Sequence, residues 1–344
     1  MIRFIQAGLG VRGSDWARII REEPRAELAA LVDPRFPGLR EELGVLTEGT
    51  EYFQNMEVAL EAVQADAVLL ATPPEGHHEQ AMMAYRHGLH VLAEKPLAEN
   101  LKDARSLVRE AERRSLQLMV GMNFRYLPVH QTTRRLLGEG EIGSASFAQF
   151  TYVRHRDGRR ADLNKYCLTP EHPMLVEQSI HHLDLLRYCY QREVEWLQAD
   201  TWNPSWSTYQ DDSNVSVLFC FEGGLRVNYL GTWTAAWNRF VFRWRTDCEG
   251  GALIQKHQFD DLYLVRFRPE LGMEGARFKE DAEQPEPIDL MPVEYFVDDT
   301  RGLLAEFVSA LETGEPLVTS GKDHLKTLGL ILACIESSLA GSRV

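Results

Sequence analysis

The chain is 344 residues long, 44% hydrophobic and 26% charged, too long for one simple core and too apolar for disorder, so two domains are expected. Lys and Arg number 37 against 51 Asp and Glu, a net charge of −14, and that field repels polyanions, which argues against nucleic acid as a partner. The five cysteines, Cys167, Cys189, Cys220, Cys248 and Cys334, form no C-x-x-C pair, the pattern of reduced packing thiols rather than of a disulfide scaffold.

Ile2–Ala7 is a short, nearly all-apolar run that reads as a strand covered on both faces, and Asp15–Arg21 continues with helical spacing at Trp16, Ile19 and Ile20. The apolar start is already broken by Gln6, and no uncharged run of roughly 18 residues follows anywhere. Neither a secretory leader nor a membrane span is therefore expected, and the location is read as cytoplasmic. Between strand and helix stand Gly8, Gly10 and Gly13 in the spacing G-x-G-x-x-G. A second apolar run, Leu28–Val32, ends in Asp33, 20 residues after Gly13, where a carboxylate can accept both ribose hydroxyls of an adenosine. Strand, glycine turn, helix, second strand and terminal acid together predict a dinucleotide site, with the pyrophosphate at the helix N-terminus. Asp33 favours NAD, while Arg35 could neutralise it and receive NADP instead.

The same rhythm continues through Val58–Val63 (helix), Ala67–Ala71 (strand, stopped by Thr72-Pro73-Pro74), Glu79–His87 (helix), His90–Ala93 (strand), Leu101–Arg114 (helix) and Gln117–Gly121 (strand). Alternation of this kind predicts a doubly wound parallel sheet. Beyond a helix at Val129–Leu137, strands come in succession at Ser146–Arg154, Val194–Trp202, Asn214–Phe221, Leu225–Thr234, Phe240–Thr246 and Leu262–Phe267, interrupted by a helix near Leu175–Tyr190. This predicts a second, α+β domain with an open, mostly antiparallel sheet, closed by helices at Thr300–Glu312 and His324–Leu339, and the stretch Glu280–Pro292 reads as a surface loop. The boundaries expected are 1–122 for the dinucleotide domain and 123–344 for the substrate and oligomerisation domain, its last helices packing back near the junction. Val227, Tyr229, Phe240, Phe242 and Trp244 alternate as an uncovered apolar sheet face would, so a homodimer or homotetramer through that sheet is expected.

Three clusters can carry chemistry. Lys95 follows a strand end at the ligand side of the sheet, clamped by Glu94 and Pro96, where an ammonium can exchange a proton with a substrate hydroxyl. Glu177, His181 and Asp184 fall four and three residues apart in HPMLVEQSIHHLDLLRY, on one helical face suited to a proton relay or to holding hydroxyls. The same face could be a solvated polar surface, and it lacks the two-histidine spacing of a zinc site, so no metal is expected. His182 points elsewhere and reads as structural. The third cluster is Gly121–Tyr126 (GMNFRY), where polar groups at a domain boundary can line a cleft.

GLGVRG, ATPP at Ala71–Pro74, AEKPLAENLKDA at Ala93–Ala104, GMNFRY, GEIG, the E-x-x-x-H-x-x-D helix and ALETGEPLVTSGKDHLKTL at Ala310–Leu328 together resemble the glucose-fructose oxidoreductase and inositol dehydrogenase (Gfo/Idh/MocA) family nearly end to end. The resemblance implies NAD(P)-linked hydride transfer at a carbinol carbon of a sugar, cyclitol or related polyol. Lys95 matches the family's catalytic lysine and His181 its active-site histidine, either of which could be the acid/base; Glu177 stands where the family usually has Asp. Catalytic roles are thus expected for Lys95, His181 and Glu177. Cofactor contacts are expected from Gly8, Gly10, Val11, Arg12, Gly13, Asp33, Arg35, Thr72, Pro73, His77, Glu94 and Lys95. Substrate contacts are expected from Lys95, Asn123, Arg125, Arg154, Tyr166, Glu177, His181 and Asp184, with Trp202 or Trp233 as an aromatic platform. A non-catalytic NAD(P)- or sugar-binding regulator and an NAD-dependent glycosidase share the fold and stand as alternatives.

Overall fold

The run Ile2–Ala7 does form a strand, β1, and it lies in the middle of a parallel sheet, which is why it has no polar face. The computed structural model describes residues 1–35, 38, 44, 49–156, 168–236, 239–267 and 285–344. They divide into two units, Met1–Tyr126 with Glu294–Gly329, and Leu127–Val293 with Leu330–Val344.

In the first unit β1 is followed by α1 (Val11–Glu22), β2 (Ala26–Val32), β3 (Glu51–Phe53), α2 (Met56–Ala62), β4 (Ala67–Leu70), α3 (His77–Arg86), β5 (His90–Ala93), α4 (Leu101–Arg114) and β6 (Leu118–Val120). The strand order is β3-β2-β1-β4-β5-β6, every neighbour parallel. The order reverses between β1 and β4, the place where open sheets of this kind take their ligands. Helix α4 illustrates the local logic. Asn100 caps its start by accepting the Asp103 N–H, Ser115 ends it in the left-handed conformation, and Ala104, Leu107, Val108 and Ala111 form its buried stripe.

The boundary expected from sequence needs correction, because Glu294–Gly329 belongs to the first unit rather than to a domain running from 123 to 344. Helix α7 (Asp298–Thr313) buries Leu303, Leu304, Phe307 and Val308 in one cluster with Phe4, Trp16 and Ile19. An apolar stripe states that a helix must pack, and not on which sheet.

The second unit contains α5 (Pro128–Glu139), β7 (Ala145–Arg154), α6 (Ile180–Tyr190), β8 (Val194–Trp202), β9 (Asn214–Phe221), β10 (Arg226–Thr232), β11 (Phe240–Cys248), β12 (Gly251–Gln255), β13 (Tyr263–Arg266) and β14 (Glu286–Pro287). The final helix, α8 (Gly321–Ala340), begins in the first unit and ends in the second. The eight strands run β14-β13-β12-β11-β7-β10-β9-β8, antiparallel except for the parallel pair β7 and β10.

The apolar face of the sheet, expected to be bare, is covered instead. Val227, Tyr229, Phe242 and Trp244 are at most 5% exposed, and Trp244 lies against Tyr190 and Phe150 against His182, both partners carried by α6. Phe240, in the same series, is exposed at the strand's start. Alternation separates two faces of a strand but does not say which one a helix covers. The other face is mixed: Gln149, Thr151, Gln198, Asp200, Ser216 and Asn228 surround Leu218 and Leu230 in a shallow depression of about 350 Å³.

Cys189, Cys220, Cys248 and Cys334 are free thiols, whereas Cys167 and Tyr166 lie outside the described residues, as does part of the loop expected at Glu280–Pro292. Among the described residues no helix is long and apolar enough to cross a membrane.

Candidate active site

The glycine turn answers to backbone crowding. Gly8 has φ +93°, and a Cβ there would collide with the Ala71 carbonyl at the end of β4; a Cβ at Gly13 would collide with the Gly8 carbonyl. Gln6, fully buried in β1, holds this turn by donating from Nε2 to the carbonyls of Gly8 (3.1 Å) and Gly13 (2.6 Å). Gly10 caps α1, and Val11 beyond it is 82% exposed.

Asp33, only 3% exposed, ends β2 beside this turn. One oxygen accepts the Leu9 N–H at 2.9 Å, and Arg35 grips both oxygens, Nε to Oδ1 at 2.9 Å and Nη2 to Oδ2 at 2.8 Å. Burial would raise this carboxyl, but the Arg35 guanidinium and the backbone N–H groups of Arg35 and Leu9 hold it below its usual range. Arg35 itself is largely exposed.

Lys95, half-buried after β5, is flanked by residues that are each tied down. On one side Glu94 Oε1 accepts from Arg12 Nε at 2.7 Å and from Trp16 Nε1 at 2.6 Å. Burial pushes the Glu94 carboxyl up, and the charges of Arg12 and Lys95 with the indole N–H outweigh it, leaving it below the usual range. On the other side the cis Lys95–Pro96 peptide leads to a carbonyl 3.0 Å from His77 Nδ1, whose Nε2 is 2.9 Å from the Thr72 carbonyl, and the Leu97 N–H donates to His324 Nε2 at 3.3 Å. His77, expected at the cofactor, has both ring nitrogens engaged with backbone carbonyls. It is fully buried and bridges the loops after β4 and β5, and burial pushes its pKa down although both neighbours are carbonyls.

The junction cluster is also internal to the first unit. Arg125, expected at the substrate, is 5% exposed and donates to the Val318 carbonyl (2.9 Å) and to Asp323 (2.6 Å), fastening the C-terminal segment. Asn123 donates to Asp299, a carboxyl that burial raises to about 6 against the pull of Arg12 and Asn123. Neither Asp299 nor Gln6 was foreseen; a lone polar residue in an apolar run is the only signal Gln6 leaves.

In the second unit the helix bearing Glu177 and His181 is not α-helical throughout. Met174–Ser179 forms a π turn, with the Ile180 N–H donating five residues back to Leu175, so Glu177 stands on a wider turn than the spacing assumed. Glu177 is half-buried and His181 is 8% exposed. Asp184 departs from expectation: it is 1% exposed, 3.9 Å from Arg187, which in turn pairs with Glu193 at 2.7 Å. Asp184 is thus part of an internal ion group rather than of a solvated face. The neighbouring His182 is fully buried: its Nδ1 lies 2.9 Å from Tyr229 Oη and its Nε2 3.1 Å from Gln178 Nε2, and Ser179 Oγ meets the same tyrosine at 2.8 Å. Tyr152 Oη donates to Gln178 and accepts from Arg154 at 3.3 Å, so Arg154 stands at the end of this network. Trp233 offers no platform, being fully buried between Tyr209 and the Arg156 guanidinium, while Trp202 is 38% exposed.

Residues 2–122 match the Gfo/Idh/MocA oxidoreductase family, NAD-binding Rossmann fold, and residues 130–254 match the Gfo/Idh/MocA C-terminal domain. The chain belongs to the Gfo/Idh/MocA family. This oxidoreductase is 26% identical to D-apiose dehydrogenase of Paraburkholderia graminis, over 94% of this chain and 84% of that one. It is also 26% identical to an uncharacterised protein of Sinorhizobium fredii, over 99% and 95% of the two chains. Its fold follows that of an Agrobacterium radiobacter oxidoreductase solved with NAD+, L-tartaric acid and magnesium, with a TM-score of 0.86 at 20% identity over 100% of this chain and 98% of that one.

Proposed function

We propose that this oxidoreductase transfers a hydride between a nicotinamide cofactor and the carbinol carbon of a sugar, cyclitol or related polyol. The observation that carries the reading is the anchoring of Lys95, whose flanking residues are tied to the glycine turn by Arg12 and to the β4 loop by His77. Fixed neighbours on both sides are what holds an amine in place for chemistry. The glycine turn, packed against backbone at Gly8 and Gly13 and open at Gly10, where a Cβ would meet nothing within 4 Å, together with the Asp33 carboxylate fits a dinucleotide. Gly10, the α1 N-terminus and Asp33 would hold it, and when bound its nicotinamide supplies the hydride chemistry. Lys95 and His181 exchange the hydroxyl proton, and Glu177 accepts hydrogen bonds from substrate hydroxyls. The name of the D-apiose dehydrogenase relative supports a polyhydroxylated substrate. Incubating the protein with NAD or NADP and a panel of sugars, inositols and sugar acids tests this by nicotinamide absorbance. Tight dinucleotide binding with no turnover across the panel would favour the regulator instead.

We propose NAD as the preferred cofactor, with Arg35 allowing NADP. Since Arg35 already neutralises Asp33, Arg35→Ala is expected to lower the NADP-to-NAD ratio of kcat/KM by about tenfold or more. An unchanged ratio would remove Arg35 from cofactor choice. Copies of the chain are proposed to associate through the mixed outer face around Leu218 and Leu230, which sedimentation of a Leu230→Glu variant tests.

A further inference from the structure

We propose that Arg12 is a positioning residue for Lys95, acting through Glu94, rather than a ligand of the cofactor phosphates. This role rests on the reading of Lys95 as a proton carrier. Arg12 lies within the glycine turn, one residue before Gly13, where a cation would ordinarily be assigned to the pyrophosphate, yet each of its three guanidinium nitrogens already faces an acceptor of this chain. Nε meets Glu94 Oε1 at 2.7 Å, Nη2 meets Thr300 Oγ1 at 2.9 Å, and Nη1 lies 3.4 Å from the Phe296 carbonyl. The group also packs over the Trp16 ring, 5.2 Å from its centre.

Three further observations mark the arrangement as built around Glu94. Its side chain is only 13% exposed, so the carboxylate depends on internal partners. Gly121 makes room for it, since a Cβ there would lie 3.2 Å from Glu94 Oε2. Phe296 presents its carbonyl from a left-handed backbone, φ +64°, a conformation rare for an aromatic residue and held in place here by Thr300 Oγ1 at 2.9 Å.

The consequence follows from charge and sequence adjacency. Glu94 directly precedes Lys95, and Arg12 both aims its carboxylate and neutralises it. Without Arg12 an uncompensated carboxylate beside the amine favours the ammonium form and loosens the strand end that carries it.

The test uses Arg12→Met, Arg12→Lys, Glu94→Gln and the Arg12→Met/Glu94→Gln double variant of the full chain. Acetylation of Lys95 by acetic anhydride, read by peptide mass against the 78% exposed Lys322, reports the amine without needing a substrate. Fluorescence titration reports NADH affinity, and kcat, KM and the pH profile report turnover. Arg12→Met is expected to slow Lys95 acetylation about threefold and to lower kcat about tenfold or more, with the alkaline limb of the profile displaced and NADH affinity within about threefold. Arg12→Lys recovers most of the loss, and Glu94→Gln in the Arg12→Met background restores acetylation because no carboxylate is left uncompensated. If Arg12→Met does not fold, Arg12→Lys and Glu94→Gln decide by the same readouts. NADH affinity weakened about tenfold with Lys95 acetylation unchanged would overturn the proposal and make Arg12 a phosphate ligand. A wild-type protein that turns nothing over defeats the functional reading alone, since the acetylation comparison still judges Arg12.

Discussion

Replacing Lys95 by methionine is expected to lower kcat by about a thousandfold while leaving dinucleotide affinity within about threefold of the wild type. Methionine keeps the unbranched stem and removes only the amine. The ties that shape this corner run through Glu94, Pro96 and Leu97, so they survive the substitution. Loss of one proton-transfer group costs roughly 10² to 10⁴ in rate, and here the same amine also orients the hydroxyl. Stopped-flow measurement of the hydride step, with NADH binding measured in parallel, checks the result. A Lys95→Met protein with normal single-turnover rates would mean that His181 alone handles the proton.

Acid should destabilise the second unit through His182. Burial among Phe150, Tyr152 and Tyr229, with His130 adding its charge, pushes this imidazole down to about 3. The sign follows from proton counting. Above the ordinary value of 6.5 both folded and unfolded chains hold it neutral; below that value the unfolded chain takes up a proton that the folded one refuses. Stability is therefore present in full above pH 6.5 and falls as pH drops toward 3, by about 3 to 5 kcal/mol from this residue. His182→Gln, which keeps a hydrogen-bonding group toward Tyr229, should be less stable at pH 7.5. It should also show a slope of unfolding free energy against pH smaller by about one proton between pH 4 and 6. Denaturant unfolding at a series of pH values measures it, and an unchanged slope would assign the acid sensitivity elsewhere. His77, also depressed by burial, contributes in the same direction from the first unit.

Much of the first unit was legible because its signals are local. His90–Ala93 and Leu101–Arg114 have the bounds read from periodicity alone, since an apolar run between turn residues, and a stripe with an Asn cap, need no distant partner to be recognised. The short strand β3 was missed because three residues, one of them exposed, carry no alternation to read. In the second unit Val194–Trp202 and Asn214–Phe221 likewise keep the bounds expected, whereas β12, Gly251–Gln255, is almost wholly buried and offered too brief a pattern. The roles of charged residues were harder. Arg125, Asp184 and His77 carry the residue types of a polar site, and each is instead occupied with a neighbour that only folding supplies.

Sequence by itself determined the alternating strands and helices, the glycine turn with its distal acid, and the identity of Lys95 and His181 as the residues worth testing. These are properties of nearest neighbours and of fixed spacing, and backbone sterics enforce them wherever the chain goes. Tertiary structure alone decided that Glu294–Gly329 returns to the first unit, that α6 covers the aromatic face of the sheet, and that Arg12 reaches Glu94, 82 residues away. Hydrogen bonds and burial form between whichever groups the fold brings together, and no spacing along the chain records that meeting.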